Sequence, residues 1–406
     1  MSATPYFGDN TLHRWAVLFH LGVWLSALLL IRWLQPLWQL SGPHGHYPWV
    51  GMDFAPYWVG AREALHGHSP YSATTLRHIQ QVVYGGPAGG EDPMMFMYPA
   101  WVIVLVAPLT ILPYSWAVAV YTATLLWAML VMLIALAPPS FKTTPSRFAL
   151  WLVLILAGSL PFLVISVVKG QLGYWSLVAL FLAYRAWQHH RDGQTGVWLA
   201  LALLKPTTVL LPTAGVLLFA LLRKRWRVFA GFAAVLTALL GLSFWMAGNW
   251  LPDYLHVLSI KGGRPVLWSV TTLPFPWNVL WGLFFLGVLA RATWYALHVG
   301  DDTWFPAFVL AGMALTPMRW IYDLFVGVLL LAEYTAPPAG WRDGLVGVAL
   351  LAPWLGVFLP AAWRWPALLI GLPLVWSVVG LAVVFPGAVA SVGRVFRPPH
   401  QEVRFL

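Results

Sequence analysis

The chain of 406 residues has no cysteine. That absence excludes disulfide scaffolds, zinc–thiolate sites, iron–sulfur clusters and cysteine nucleophiles. Charge is scarce as well: only 9% of positions are Asp, Glu, Lys or Arg. Soluble domains carry about 25%, so this composition does not supply an ordinary water-facing surface. Acidic residues are the rarer kind, 13 against 23 Lys and Arg, which leaves a net charge of +10. In a soluble protein such an excess points to nucleic acid. Here the basic residues fall mostly in short stretches between apolar runs, where membrane topology explains them and no nucleic-acid partner is expected.

What the chain has in abundance is apolar length. Hydrophobic residues make up 60% of it and the mean hydropathy is +0.75, which excludes intrinsic disorder. A spanning helix needs roughly 20 mainly apolar residues. Candidate spans lie at about 15–34, 113–137, 148–168, 171–188, 194–204, 206–222, 228–246, 274–297, 303–316, 319–336, 344–360 and 366–386. The expectation is therefore an all-α integral membrane protein, a single domain over 1–406 with about 12 transmembrane helices. Several segments are short for a full span, which suggests broken or tilted helices around a cavity. The 15–34 segment lacks a small-residue cleavage site and reads as a retained anchor rather than a signal peptide. No internal repeat is evident.

Orientation follows from the positive loops. The run Arg223-Lys224-Arg225-Trp226-Arg227 is the densest and is assigned to the cytoplasm. Both termini then fall on that side. The long 35–98 loop, the 247–273 loop and the turns at Lys169, Lys205 and Arg319 lie outside the cell, in a multi-pass plasma-membrane protein. This parity requires that 98–112 does not cross, so 35–112 is read as an extracytoplasmic loop with interfacial or re-entrant helices. Lys261 and Arg264 in the second outer loop face either anionic headgroups or solvent.

Ionisable groups inside a membrane are costly and are functional candidates by default. Four polar interruptions collect on the outer side: Asp53, Lys169-Gly170-Gln171, Lys205-Pro206, and Arg319 with Tyr322 and Asp323. Each alone has an ordinary reading as a snorkelling lysine, a helix cap or, for Arg319 and Asp323, an i,i+4 ion pair. Together they suggest a shared polar cavity. A glycoside hydrolase usually needs two paired carboxylates, because its alcohol leaving group must be protonated. A sugar leaving from a lipid phosphate needs no acid. It needs one carboxylate to take the acceptor's proton and cations to neutralise the phosphate. One Asp among several cations fits that arrangement, although a proton-coupled transporter or flippase would hold a similar inventory. His66 and His68 have His-x-His spacing without a third ligand nearby, and no metal is expected.

The string from Met52-Asp53-Phe54 through Ala61-Arg62 to Gly67-His68-Ser69-Pro70-Tyr71 resembles the first-loop signature of glycosyltransferase family 87. Tyr98-Pro99-Ala100, Ala107-Pro108-Leu109 and Leu112-Pro113 resemble its next segment. Gly170-Gln171, Leu204-Lys205-Pro206, the basic run at Trp226 and Thr316-Pro317 through Tyr322-Asp323 follow in the family's order, over about 14–336. The resemblance implies a GT-C-type multi-pass fold and transfer of a sugar from a polyprenyl-phosphate donor on the extracytoplasmic face. The acceptor would be a lipid or glycan, and membrane lipids the other partners. It implies mannose as the first candidate sugar, arabinofuranose as the second, and an inverting, metal-independent reaction without cofactor. Asp53 would be the general base. Lys169, Gln171, Lys205, Arg319, Tyr322 and Asp323 would contact substrate, and Tyr57 and His66 from the first-loop string join them.

Overall fold

The computed structural model describes residues 21–30, 32, 51–87, 94–136, 169–262 and 275–299. The chain packs as two compact units, residues 1–135, 162–213 and 217–267 in one and 136–161, 214–216 and 268–406 in the other. The described residues are helices joined by short turns. They run α1 (Leu21–Leu30), α2 (Ala55–Leu65), α3 (Ala73–Tyr84), α4 (Trp101–Val106) with a 3₁₀ turn at Ala107–Ile111, and α5 (Tyr114–Leu136). After the gap come α6 (Gly173–Gln188), α7 (Asp192–Ala202), α8 (Pro206–Leu222), α9 (Trp226–Ala247), α10 (Leu251–Gly262) and α11 (Trp277–Val299).

Local chemistry explains the boundaries. Ser72, in an extended conformation, caps α3 by accepting from the Thr75 N–H at 3.1 Å, and Gly85 ends that helix in the left-handed region. Pro206 opens α8, where its missing N–H costs nothing. The same proline excludes Lys205 from helical geometry, and Lys205 sits at φ −124°, ψ 82°. The α7–α8 break at this lysine is thus written in the Lys-Pro pair.

The first unit is organised around a core of Phe54, Tyr57, Trp58, Phe96, Ile103 and Trp250. Trp58 donates to the Leu109 carbonyl at 3.2 Å, fastening the first-loop helix to the 3₁₀ turn. On α5, Trp127 covers Gly22 of α1 and donates to Ser26 at 3.0 Å. The crossing of α7 and α9 is closer still. A Cβ on Gly196 would lie 1.9 Å from the Val228 carbonyl oxygen, and one on Gly231 would lie 2.1 Å from that of Gly193. Only glycine permits this backbone contact, the small-residue packing that serves helices in lipid.

The basic turns of two successive helical hairpins are built alike, although the sequence shows no repeat. In the α6–α7 turn, His189, His190 and Arg191 donate to Arg185, Trp187 and Ala186. In the α8–α9 turn, Arg223, Lys224 and Arg225 donate to Phe219, Leu221 and Ala220 in the same pattern. His190 and Lys224 hold the left-handed conformation, at φ 55° and 53°. Backbone hydrogen bonding sets this turn, so dissimilar side chains support it.

Among the described residues one straight helix, Trp226–Ala247, is long and apolar enough to cross a membrane, and it exposes Leu242, Phe244 and Trp245. The segment from Trp101 to Ile111 meets the helix beginning at Tyr114 at a bend of 118°. A straight crossing through both is therefore excluded. The expected segments at 171–188, 194–204, 206–222 and 274–297 are helices at nearly those limits, 16, 11, 17 and 23 residues long. Those at 148–168 and from 303 onward lie outside the described residues. In the second unit, α11 carries an Arg291–Trp294 cation–π contact at 4.3 Å and exposes Leu280, Leu283 and Leu286.

Candidate active site

Asp53 lies in the turn 51–54 that leads into α2. Phe54 and Ala55 donate to the Gly51 carbonyl at 2.8 and 3.0 Å, and the Tyr114 hydroxyl donates to the same oxygen at 2.7 Å. The Asp53 N–H donates to the Lys169 carbonyl at 2.8 Å, joining this turn to one far along the chain. There Gly170 adopts φ +75°, a conformation side chains resist. A Cβ on it would come within 2.8 Å of the Phe54 Cβ, so both its conformation and its lack of a side chain are required. Phe54 packs in turn on Tyr121, with ring centroids 4.6 Å apart.

The next residue, Gln171, is 2% exposed, and its side-chain amide donates to Asp53 Oδ2. The Tyr121 hydroxyl donates to the Gln171 carbonyl at 3.1 Å. Gln171 Oε1 is buried without a hydrogen-bond partner among the described residues. Lys205, 3% exposed, is held by its backbone N–H, which donates to Ser176 Oγ on α6 at 3.0 Å. The Trp101 indole donates to the Leu203 carbonyl at 3.1 Å just before it. Three helices thus begin within two residues of an interacting group: α2 after Asp53, α6 after Gln171 and α8 after Lys205. Their partial positive ends favour an anion here.

Burial dominates the electrostatics of Asp53 and raises its proton affinity. Lys169, the Gln171 hydrogen bond and Lys205 act against burial, in that order, without cancelling it. A half-buried carboxyl with elevated proton affinity is suited to take a proton from a substrate, and its two ammonium neighbours to stabilise negative charge. Tyr57, one helical step beyond, is fully buried with its ring edge-on to Tyr98 at 4.6 Å. Burial, Tyr98, Tyr121 and Asp53 all hold its phenol well above the usual range.

The structure therefore brings together Asp53, Lys169, Gln171, Lys205 and Tyr57. It does not bring His66 to them. That residue stands at the opposite end of α2, ~17 Å along the helix axis, exposed, with its ring nitrogen 2.6 Å from the Arg62 carbonyl. Arg319, Tyr322 and Asp323 lie outside the described residues. The two histidines of His66-x-His68 take different partners. His68 and His78 each place Nδ1 2.8 Å from one oxygen of Glu63. Burial pushes the Glu63 carboxyl upward, and the two histidine hydrogen bonds together outweigh it, so its value falls below the ordinary one.

Sequence reasoning missed Tyr121 and Ser176, which support Gln171 and Lys205. Their only signal was a hydroxyl within an apolar helix, a feature that local back-bonding usually explains.

No curated protein and no solved structure matches the chain. A model of glycosyltransferase family 87 matches residues 96–321. The matched stretch holds Lys169, Gln171, Lys205 and Arg319; Asp53, Tyr57 and His66 precede it, and Tyr322 and Asp323 follow it. It covers more than half of the chain, and the chain belongs to glycosyltransferase family 87, as a membrane glycosyltransferase.

Proposed function

We propose that the protein moves a sugar, mannose first among candidates, from a polyprenyl-phosphate donor to a lipid or glycolipid acceptor at the extracytoplasmic face. The observation that carries this reading is the Asp53 carboxyl flanked by Lys169, Gln171 and Lys205 where three helices begin. In the proposed step Asp53 accepts the proton of the acceptor hydroxyl as its oxygen bonds to the anomeric carbon. The bond from that carbon to the phosphate oxygen breaks on the opposite face, inverting the configuration. Polyprenyl phosphate departs with the electron pair, its charge met by Lys169, Lys205 or Arg319, of which Arg319 is favoured by its capacity for bidentate contact. In this scheme no metal or cofactor takes part, as the family resemblance implies.

The reading keeps the topology expected from sequence: about 12 spans, both termini cytoplasmic, the Asp53 end outside. In this scheme Tyr322 and Asp323, taken from the sequence alone, contact acceptor or donor hydroxyls. A transport function would hold similar charges; membership of a glycosyltransferase family favours transfer.

The test is an assay in nanodiscs with radiolabelled polyprenyl-phosphate mannose, a membrane lipid extract and chelator. Wild type is expected to form a labelled glycolipid, and Asp53→Asn to lower turnover about 10²–10⁴-fold. Near-native turnover by Asp53→Asn would overturn the base assignment. Product with an arabinofuranose donor alone would reassign the sugar, and no product from either donor would overturn the transfer reading.

A further inference from the structure

Resting on that reading of Asp53, we propose that Gln171 is a positioning residue: its side-chain amide holds Asp53 Oδ2, fixes the plane of the carboxylate, and leaves Oδ1 to meet the acceptor hydroxyl. Sequence alone offered Gln171 as a contact to sugar or phosphate. The geometry points to a second role, because one N–H of its amide is given to Asp53.

Everything around Gln171 serves to hold it there. Its carbonyl accepts from the Tyr121 hydroxyl at 3.1 Å. The preceding glycine is pressed onto Phe54, next to Asp53 in sequence. One residue further back, the Lys169 carbonyl accepts from the Asp53 N–H at 2.8 Å. The turn 169–171 thus grips both the backbone and the side chain of Asp53, across 118 residues of sequence. A carboxylate on a short side chain rotates about χ2 unless something fixes it. Two lysines attract it without direction, whereas a planar amide donor is directional. Gln171 is neutral, so it also orients Asp53 without adding the further positive charge of another lysine.

The groups facing Asp53 are Lys169 and Lys205 from the α6 and α8 ends, Tyr57 from α2, and Tyr114 and Tyr121 from α5. Removing the amide strips the carboxylate of this donor while leaving burial and both lysines in place. Proton affinity rises.

The experiment is an infrared pH titration of purified protein in nanodiscs, reading the carboxylic C=O band that disappears in Asp53→Asn. Gln171→Leu and Gln171→Met both remove the amide at similar volume. The expected result is a midpoint higher by about one to two pH units in either variant, the equivalent of a hydrogen bond to a charged group. A midpoint within about 0.3 units of wild type, in whichever variant keeps the wild-type melting temperature, would overturn the proposal. A merely structural glutamine would lower the melting temperature and leave the midpoint in place. No substrate is present in this titration, so it is independent of whether mannose is transferred. In the transfer assay the acid limb of kcat/KM is expected to move upward with the infrared midpoint. A limb that stays in place while the infrared midpoint moves would overturn Asp53 as the base but leave the orienting contact standing.

Discussion

The two ends of helix α6 carry similar residue types and use them differently. At its C-terminal end Arg225 lies 3.8 Å from the centroid of the Trp187 ring and 2.5 Å from Asp192. Cation, ring and carboxylate meet there in one clamp, an ion pair in which Asp192 Oδ1 accepts no hydrogen bond among the described residues, joining the α6–α7 turn to the α8–α9 turn. At its N-terminal end, ~24 Å away for a helix of this length, the groups are arranged differently. Gln171 Oε1 is buried without a partner among the described residues, Asp53 is held above its ordinary proton affinity, and two lysines are gathered beside it. Buried polar groups normally find partners. An end where a carboxyl is held from its ordinary state beside two cations is an end prepared for a substrate. The lesson lies in pairing: a basic residue near a helix end says little until its counter-charge is located.

The comparison requires that the hairpins hold both ends in register, and the glycine crossing of α7 and α9 is where that register is most easily broken. Gly196→Leu would force a side chain into the Val228 carbonyl. The expected cost is ~3 kcal/mol or more, read as a large fall in melting temperature in detergent together with loss of transfer.

A matched pair of substitutions sharpens the contrast. Lys205→Gln removes a buried cation beside Asp53, and kcat/KM is expected to fall roughly 10²-fold, the scale for losing one electrostatic contact to the leaving group. Arg225→Gln breaks the clamp at the other end. It is expected to lower the melting temperature while leaving kcat within about threefold, since a partly exposed ion pair contributes ~1 kcal/mol or less. Equal losses of turnover in the two variants would erase the functional distinction between the ends.

The pH dependence has a definite sign. A general base must be ionised, and Asp53 binds its proton more tightly than an ordinary aspartate. Turnover is therefore expected to decline as pH falls through that raised value, at higher pH than a free aspartate would produce. Asp53→Asn is expected to abolish this limb along with most of the activity.

The smallest effect is expected at Glu63. Its value is lowered in the folded protein, so its contribution to stability is present above the ordinary carboxylate value and is lost as pH falls through the lowered one. Glu63→Gln is expected to lower the melting temperature slightly at neutral pH, and less in acid. Transfer is expected to persist, because the glutamate, His68 and His78 form their own cluster on α2, α3 and the turn between them.

Much of this architecture was legible without coordinates. Apolar runs marked the helices around 171–188, 206–222 and 228–246, and Lys205 stood out because proline forbids helix just before itself. Asp53, Lys169 and Gln171 stood out as polar residues flanking apolar segments. The crossing of α7 on α9 was not legible, since glycine in a helix signals weakness until the backbone that needs the space is known. Nor were the like-built turns, which are made by carbonyls and amides rather than by a pattern of side chains. Glu63 hid its role too, because its histidine partners lie five and fifteen residues on.

The local decisions belong to the chain itself: apolar length makes helices, proline and glycine end them, and scarce charges mark where a hydrocarbon interior is interrupted. These follow from neighbours within a few residues and from the solvent each segment requires. Which charges meet was decided only in three dimensions. Asp53 and Gln171 stand 118 residues apart, and no short-range rule couples them. Packing of Gly170 onto Phe54 closes that distance and poises Asp53 at one end of α6, while Arg225 pairs with Asp192 at the other.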